Sequence, residues 1–289
     1  MKILVTGAKG MLGSAVWRRL SATHEVIGID LADGDLSQVS VVRELVKLHQ
    51  PEWIIHCAAW TAVDDAETAR KESMAANGDA TGHLASVCDE LGCGLTYIST
   101  DYVFNGEGPT SGYTEDHPRD PVNYYGQTKA AGEEAVEKMS SPWQIVRISW
   151  LFGDGPVNFP RTIARLLGER ETLKVVDDQL GCPTYTEDLA EVLAFLVSGR
   201  YRGIFHGTNA GSCTWYDFAR EVARFSGADP ARITPCGSSE YPTAAVRPRC
   251  SVLHSSHLET IGCPPRPSWQ DALSRYLLLL KSGEARYPQ

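Results

Sequence analysis

Missing from this sequence is any run of about 18 apolar residues, so no transmembrane helix and no membrane partner are expected. The opening stretch, Met1 to Gly7, is too short and too soon interrupted for a signal peptide. A basic excess is also missing. The formal net charge is -9, which disfavours general attraction to nucleic acid. None of the eight cysteines falls in C-x-x-C, and no Cys/His pair has zinc-site spacing. They read as free thiols in a reducing cytosol, and the chain as cytoplasmic. The eight histidines form no nucleophile or metal arrangement, and there is no repeat, low-complexity tract or charge run.

What is present suffices for a substantial core. The chain has 289 residues, 43% apolar and 22% charged, which describes a folded protein of one large or two small domains. Hydrophobic periodicity predicts strands at 3–5, 26–30, 53–56, 95–98 and 144–148. It predicts helices at 11–21, 39–49, 65–91 and 125–139, with a Gly- and Pro-rich loop over 101–122. Such alternation implies right-handed crossovers and a parallel sheet covered on both faces, a doubly wound α/β fold of Rossmann type. After Trp150 the rhythm breaks, and helices are expected near 187–198, 214–226 and 270–281 among short elements. Residues 1–150 therefore read as one domain. Residues 151–289 read as a smaller, mixed substrate-binding region interwoven with it. The terminal Ser282 to Gln289 is expected to fray.

Thr6-Gly7-Ala8-Lys9-Gly10-Met11-Leu12-Gly13 places G-x-x-G-x-x-G between the first strand and the first helix. Gly7 suits a tight turn, Gly10 lets backbone N–H groups near a pyrophosphate, and Gly13 lets the helix approach the sheet. Met11 and Leu12 open that helix, whose N-terminus carries unpaired donors and the positive dipole end. Asp30, 23 residues after Gly7, is placed to bind ribose hydroxyls and repel a 2′-phosphate, favouring NADH; Lys9 leaves NADPH open. Asp35 and Leu36 are placed for the adenine, although Asp35 equally suits a helix cap. Ala58 and Ala59 follow the third strand, where a nucleotide must lie close to backbone, or where small residues simply pack.

Tyr125-Gly126-Gln127-Thr128-Lys129 sets a phenol and an ammonium one helical turn apart. Alone the phenol is a sluggish acid; a neighbouring Lys129 is expected to lower its pKa and to hydrogen-bond the nicotinamide ribose. Thr100 stands at a strand end, where ligands of open α/β sheets sit. A carbonyl held between Thr100 and Tyr125 would be polarised as hydride arrives, with Tyr125 supplying the proton.

In this combination the chain resembles the extended short-chain dehydrogenase/reductase family. More specific segments extend the resemblance to its nucleotide-sugar reductases along nearly the whole chain: 57–64, 99–106, 121–126, 149–153, 178–184 and Arg247-Pro248. It implies NADPH- or NADH-dependent reduction of the C4 ketone of dTDP-4-dehydro-6-deoxy-L-mannose to dTDP-L-rhamnose. By position it implies catalytic roles for Thr100, Tyr125 and Lys129, and substrate contacts at Val63, Tyr102, Trp150, Asn158 and Phe159. Trp150 suits stacking on thymine or packing in a core, and Asn158 suits a base, a phosphate or a helix cap. Arg161 and Arg247 offer bidentate donors to a diphosphate.

His56 stands where many relatives have Asn. Ala15 stands where some relatives carry a glutamate that helps hold a dimer-bridging metal, so no such metal is expected and a homodimer is left open. Asp101-Tyr102 replaces the Asp-Glu of dehydratases in this family, which favours reduction over elimination. The remaining alternatives are a non-catalytic regulatory subunit, like the beta subunit of methionine adenosyltransferase, and a reductase of another dTDP-4-keto-deoxysugar.

Overall fold

The computed structural model describes residues 1–283. Its first half runs β1 (Lys2–Thr6), α1 (Met11–Ser21), β2 (Glu25–Ile29), α2 (Val39–His49), β3 (Trp53–His56), α3 (Arg70–Met74), α4 (Ala80–Leu91), β4 (Gly94–Thr100), α5 (Tyr124–Glu137) and β5 (Trp143–Ile148). The second half runs β6 (Leu151–Phe152), α6 (Phe159–Glu169), β7 (Leu173–Val176), β8 (Leu180–Gly181), β9 (Thr184–Tyr185), α7 (Thr186–Ser198) and β10 (Gly203–His206). It continues with β11 (Cys213–Thr214), α8 (Trp215–Ser226), β12 (Ile233–Cys236), α9 (Ser256–Thr260) and α10 (Trp269–Ser282).

The main sheet has six parallel strands in the order β10-β5-β4-β3-β1-β2. Alternation within each strand divides its side chains between two apolar layers. Ile3, Val5, Trp53 and Ile55 face Leu189, Leu193 and Leu196 of α7 together with Ala15 and Val16 of α1. Leu4, Ile54, Leu95 and Tyr97 face the other way, against Val42, Leu84 and Val87. Each such aliphatic side chain, fully buried, contributes about 1.5–3 kcal/mol. A third cluster, with Phe152, Phe218, Trp269 and Tyr276 at its centre, supports the region built from α6, α8 and α10.

The edge strand β10 comes from beyond residue 150, and α7 lies along α1 through Arg18–Glu187 at 2.6 Å and Arg19–Glu191 at 2.5 Å. The two halves thus share one sheet and one helical layer. Chain order reverses about β1, which lies between β2 and β3. A crevice therefore opens above the C-terminal ends of β1 and β3, where ligands of open α/β sheets bind.

The predicted helix over 65–91 is interrupted. A 3-10 turn at Asp65–Glu67 stands apart, and between α3 and α4 the chain takes a π-helical turn at Ala75–Asp79. Asn77 lies in this turn, and its buried amide serves the Trp60 backbone and Thr128 of α5 rather than solvent. The 101–122 loop begins with a 3-10 turn, Asp101–Val103. Helix α6 was not predicted by periodicity at all. The terminal segment expected to fray keeps Ser282 inside α10 and Gly283 as its left-handed cap (φ 69°); residues 284–289 lie outside the described residues.

Candidate active site

At the nucleotide end Gly7 has φ +64°, and a Cβ there would stand 2.7 Å from the Ala58 nitrogen. A Cβ on Gly13 would strike the Gly7 carbonyl. Only glycine lets the turn after β1, the loop after β3 and the start of α1 come together so closely. Gly10 is the N-cap of α1, and no side chain caps that end. The first-turn donors at Met11, Leu12 and Gly13 are thus left to an anion. They border a cleft of about 940 Å³ that runs across the strand ends from Asp30 to Tyr125. The bare backbone cradle and the uncapped helix end suit a dinucleotide diphosphate.

Asp30 directly follows β2 and lines the cleft. Its carboxylate accepts from the Lys9 N–H at 3.0 Å and the Leu31 N–H at 2.9 Å, while Asp33 accepts from the Asp30 N–H. The group is pinned in place. Asp35 also lines the cleft, but it does not cap α2, whose N-cap is Gln38. It accepts from the N–H and hydroxyl of Ser37, and that backbone hydrogen bond holds it below the usual carboxylate range. Leu36, Ala58 and Ala59 lie on the same wall. Leu36 also packs on the α2/α4 core layer, and the Ala58 N–H reaches the Thr6 hydroxyl at 3.3 Å.

At the other end Asn123 caps α5, accepting from the Gly126 N–H at 2.8 Å. The helix begins at Tyr124, so Tyr125 and Lys129 share one face and both line the cleft. Lys129 is 2% exposed; its ammonium donates to the Ile98 carbonyl at 2.6 Å and lies 4.2 Å from the Tyr97 ring centre. Burial pulls it down to about 7, against the opposing pull of Glu133 and Cys57. Thr100 ends β4; its hydroxyl donates to Asp101 at 3.0 Å and accepts from the Tyr102 N–H at 3.2 Å. Asp101 is pushed up to about 6 by burial, opposed by Ser251 and Thr100.

One expectation is overturned here. Tyr125 was expected to be made more acidic by Lys129, yet its pKa is raised: burial is the main cause, the Asp101 carboxylate adds to it, and the Thr100 hydroxyl opposes. Lys129 spends its charge on the Ile98 carbonyl and the Tyr97 ring.

The expected substrate contacts divide. Trp150 lines the cleft and adopts a left-handed backbone conformation, φ +47°, that non-glycine residues adopt only at a cost. Its ring stacks on Trp215 at 3.6 Å and 12°, and Phe159 lies 4.6 Å from Trp215. Tyr102 meets Tyr125 edge-on at 5.8 Å. Val63 is half-buried in the loop after β3. Asn158 takes the capping alternative: its side chain accepts from the Arg161 N–H and donates to the Gly153 carbonyl and Tyr276 hydroxyl, leaving it 8% exposed. Arg161 donates to the Gly155 carbonyl at 2.8 Å. Arg247 pairs with both oxygens of Asp64, at 3.0 and 2.6 Å, and so carries a carboxylate where a diphosphate was expected.

Several residues of the site gave little signal in sequence. Asn77 bridges Trp60 in the loop after β3 to Thr128 beside Lys129. Trp60, Asp101 and Ser149 line the cleft. His56 is 1% exposed, shares a 2.7 Å hydrogen bond with Thr6 and is held at about 3 by burial and by the Lys129 charge. An asparagine beside Gly78 inside a helical stretch was the one available hint for Asn77. The others come into place only when separate loops meet.

This arrangement has counterparts among known proteins. The RmlD substrate binding domain matches residues 1–281. The chain is 44% identical over 283 residues to a dTDP-4-dehydrorhamnose reductase of Streptomyces griseus, covering 94% of this chain and 91% of that one. It is 41% identical over 284 residues to a dTDP-4-keto-6-deoxy-D-glucose reductase of Streptomyces niveus, covering 98% of each. A crystal structure of dTDP-4-dehydrorhamnose reductase from Bacillus anthracis in complex with NADP superposes with a TM-score of 0.92 at 36% identity, over 96% of this chain and 98% of that one. On this evidence the chain belongs to the RmlD substrate binding domain family.

Proposed function

We propose that this protein reduces the C4 ketone of dTDP-4-dehydro-6-deoxy-L-mannose to dTDP-L-rhamnose, using NADPH or NADH bound along the 940 Å³ cleft. One observation carries the chemistry: Thr100 and Tyr125 both line the head of that cleft, with Lys129 one turn along α5. The bound dinucleotide supplies the hydride.

The protein's own groups do the rest. Tyr125, with Thr100 once its hydroxyl turns from Asp101, would donate to one carbonyl oxygen and stabilise the charge that develops there. A Tyr125 phenol raised by burial is fully protonated at neutral pH, the form a general acid needs. Lys129 has spare donors for ribose hydroxyls once its Ile98 bond is counted. The glycine turn and the α1 N-terminus receive the diphosphate, while the pinned Asp30 receives the adenosine ribose. Asp30 favours NADH, and Lys9 at the same rim admits the 2′-phosphate of NADPH, so both coenzymes are expected to serve. Trp150, backed by Trp215 and Phe159, forms the apolar wall on the side built by residues 151–289.

The test is an assay at 340 nm with each coenzyme and dTDP-4-dehydrorhamnose. Oxidation of coenzyme that depends on the sugar, with dTDP-L-rhamnose as product, is the expected result. Binding of coenzyme without any sugar-dependent oxidation would refute this substrate assignment. The Streptomyces niveus relative, named for a D-glucose-derived substrate, favours a second reading in which another dTDP-4-keto-6-deoxy sugar is reduced. Product stereochemistry by NMR separates the two.

A further inference from the structure

Behind the cleft, the Glu133 carboxylate is completely buried and accepts from four donors. Oε1 takes the Ser99 hydroxyl at 2.5 Å and Arg147 Nε at 2.9 Å; Oε2 takes Arg147 Nη2 at 2.7 Å and Arg119 Nη1 at 3.1 Å. All its lone-pair directions are therefore filled. The partners come from three different parts of the chain. Ser99 precedes Thr100 on β4, Arg147 lies next to Ile148 at the end of β5, and Arg119 belongs to the loop that leads into α5. Glu133 itself lies one turn beyond Lys129 and two beyond Tyr125. One carboxylate thus ties together the strand that carries Thr100, the helix that carries Tyr125 and Lys129, and the strand beside them.

Arg147 cannot leave this arrangement cheaply. It is 1% exposed, also donates to the Glu115 carbonyl at 3.1 Å, and stacks 5.0 Å from the Phe104 ring centre. A buried ion pair of this kind is weak evidence for stability, since apolar residues of equal volume would often do as well. A role in specifying the site is the better reason for its presence.

We propose that Glu133 is a positioning residue that holds the Lys129 ammonium, charged and in place, at the cofactor cleft. This rests on the reading of the cleft as a nicotinamide site. The groups around Lys129 define the balance. Tyr125 and Glu133 flank it on α5; His56 and Cys57 face it from the end of β3; Tyr97 lies under it from β4; Arg147 reaches the cluster from β5 through Glu133. Of these, Glu133 is the one negative charge at neutral pH, because Arg147 with Ser99 and Arg119 holds it below the usual carboxylate range despite its burial. His56 is neutral, and burial raises the Cys57 thiol to about 12, so neither supplies a counter-charge. Remove the Glu133 charge and the main opposition to burial at Lys129 is gone.

The experiment uses Glu133→Gln, which keeps the side-chain shape. Two readouts are followed against pH from 5.5 to 9: the ¹³C shift of the Lys129 ε-carbon in the ligand-free protein, and the dissociation constant of NADPH by fluorescence. The expected result is a Lys129 titration displaced downward by about one unit or more. NADPH affinity should then be near that of the unaltered protein at pH 5.5 and weaker by several-fold to tenfold at pH 7.5. Equal weakening at every pH, with Lys129 titrating as before, would show a purely structural residue and overturn the proposal. Should the lone substitution fail to fold, Glu133→Gln combined with Arg147→Met removes the stranded cation and is read the same way. Failure of the unaltered protein to bind NADPH at any pH would instead overturn the cofactor reading of the cleft.

Discussion

At the level of single residues, three side chains make separable predictions. Tyr125→Phe keeps the ring and removes the proton donor. Turnover should fall by roughly two to four orders of magnitude, with the NADPH dissociation constant nearly unchanged; near-normal turnover would refute the assigned acid. Lys129→Met removes both a charge and its hydrogen bonds, so turnover and coenzyme affinity should fall together, which steady-state and binding measurements resolve. His56 makes a prediction about pH. Its pKa is held at about 3 by burial in the folded protein and lies near 6.5 unfolded, so the unfolded chain binds more protons between those values. Its contribution to stability is therefore complete above pH 6.5 and is lost as pH falls toward 3. Between pH 7 and 5 this amounts to roughly 2 kcal/mol. Asp101, pushed up to about 6, works in the opposite direction, losing stability as pH rises from about 4 to 6. Comparison of His56→Asn with the unaltered protein cancels that contribution, and urea unfolding at pH 7 and pH 5 should show a smaller acid loss in the variant. An equal loss in both would mean that the imidazole is already charged in the fold.

At the level of elements, the glycine turn and the Y-x-x-x-K helix were legible because each is local. A turn that needs left-handed backbone writes a glycine, and a helix face writes its spacing. The 65–91 stretch was not, because its π turn depends on Asn77 finding Trp60 and Thr128 in distant segments. Asn77→Ala deletes three hydrogen bonds and leaves buried partners unpaired. A loss of about 2–3 kcal/mol of stability is expected, with turnover reduced through the displaced Thr128 and Lys129. Thermal melts and kinetics together check this, and full activity with unchanged melting would mean that the π turn holds itself. Helix α6 escaped periodicity for a related reason: its cap, Asn158, was legible as either cap or ligand, and the choice was made by the Tyr276 hydroxyl, 118 residues away.

For the molecule as a whole, the cleft takes one rim from the turn after β1 and another from Pro156 and Val157, beyond the fifth strand. Gly155 lies against Met11, with the nearest side-chain atom 3.4 Å from its would-be Cβ. A cofactor spanning those rims should therefore stabilise both halves at once. NADPH at one hundred times its dissociation constant is expected to add about 2.7 kcal/mol, and hydrogen exchange should slow at residues 7–13 and 150–158 together. Protection confined to the first segment would place the dinucleotide elsewhere.

By itself the sequence determined the alternation of strands and helices, the phosphate turn, the Thr100–Tyr125–Lys129 set and the resemblance to reductases. All of these are written in short-range spacing, which sterics and helix geometry translate directly. Only the tertiary structure decided that β10 closes the sheet from the second half, that Arg247 is paired with Asp64, and that Tyr125 is a weaker rather than a stronger acid. These follow from burial and from partners distant in sequence. Desolvation depends on everything packed around a group, and no local spacing encodes it.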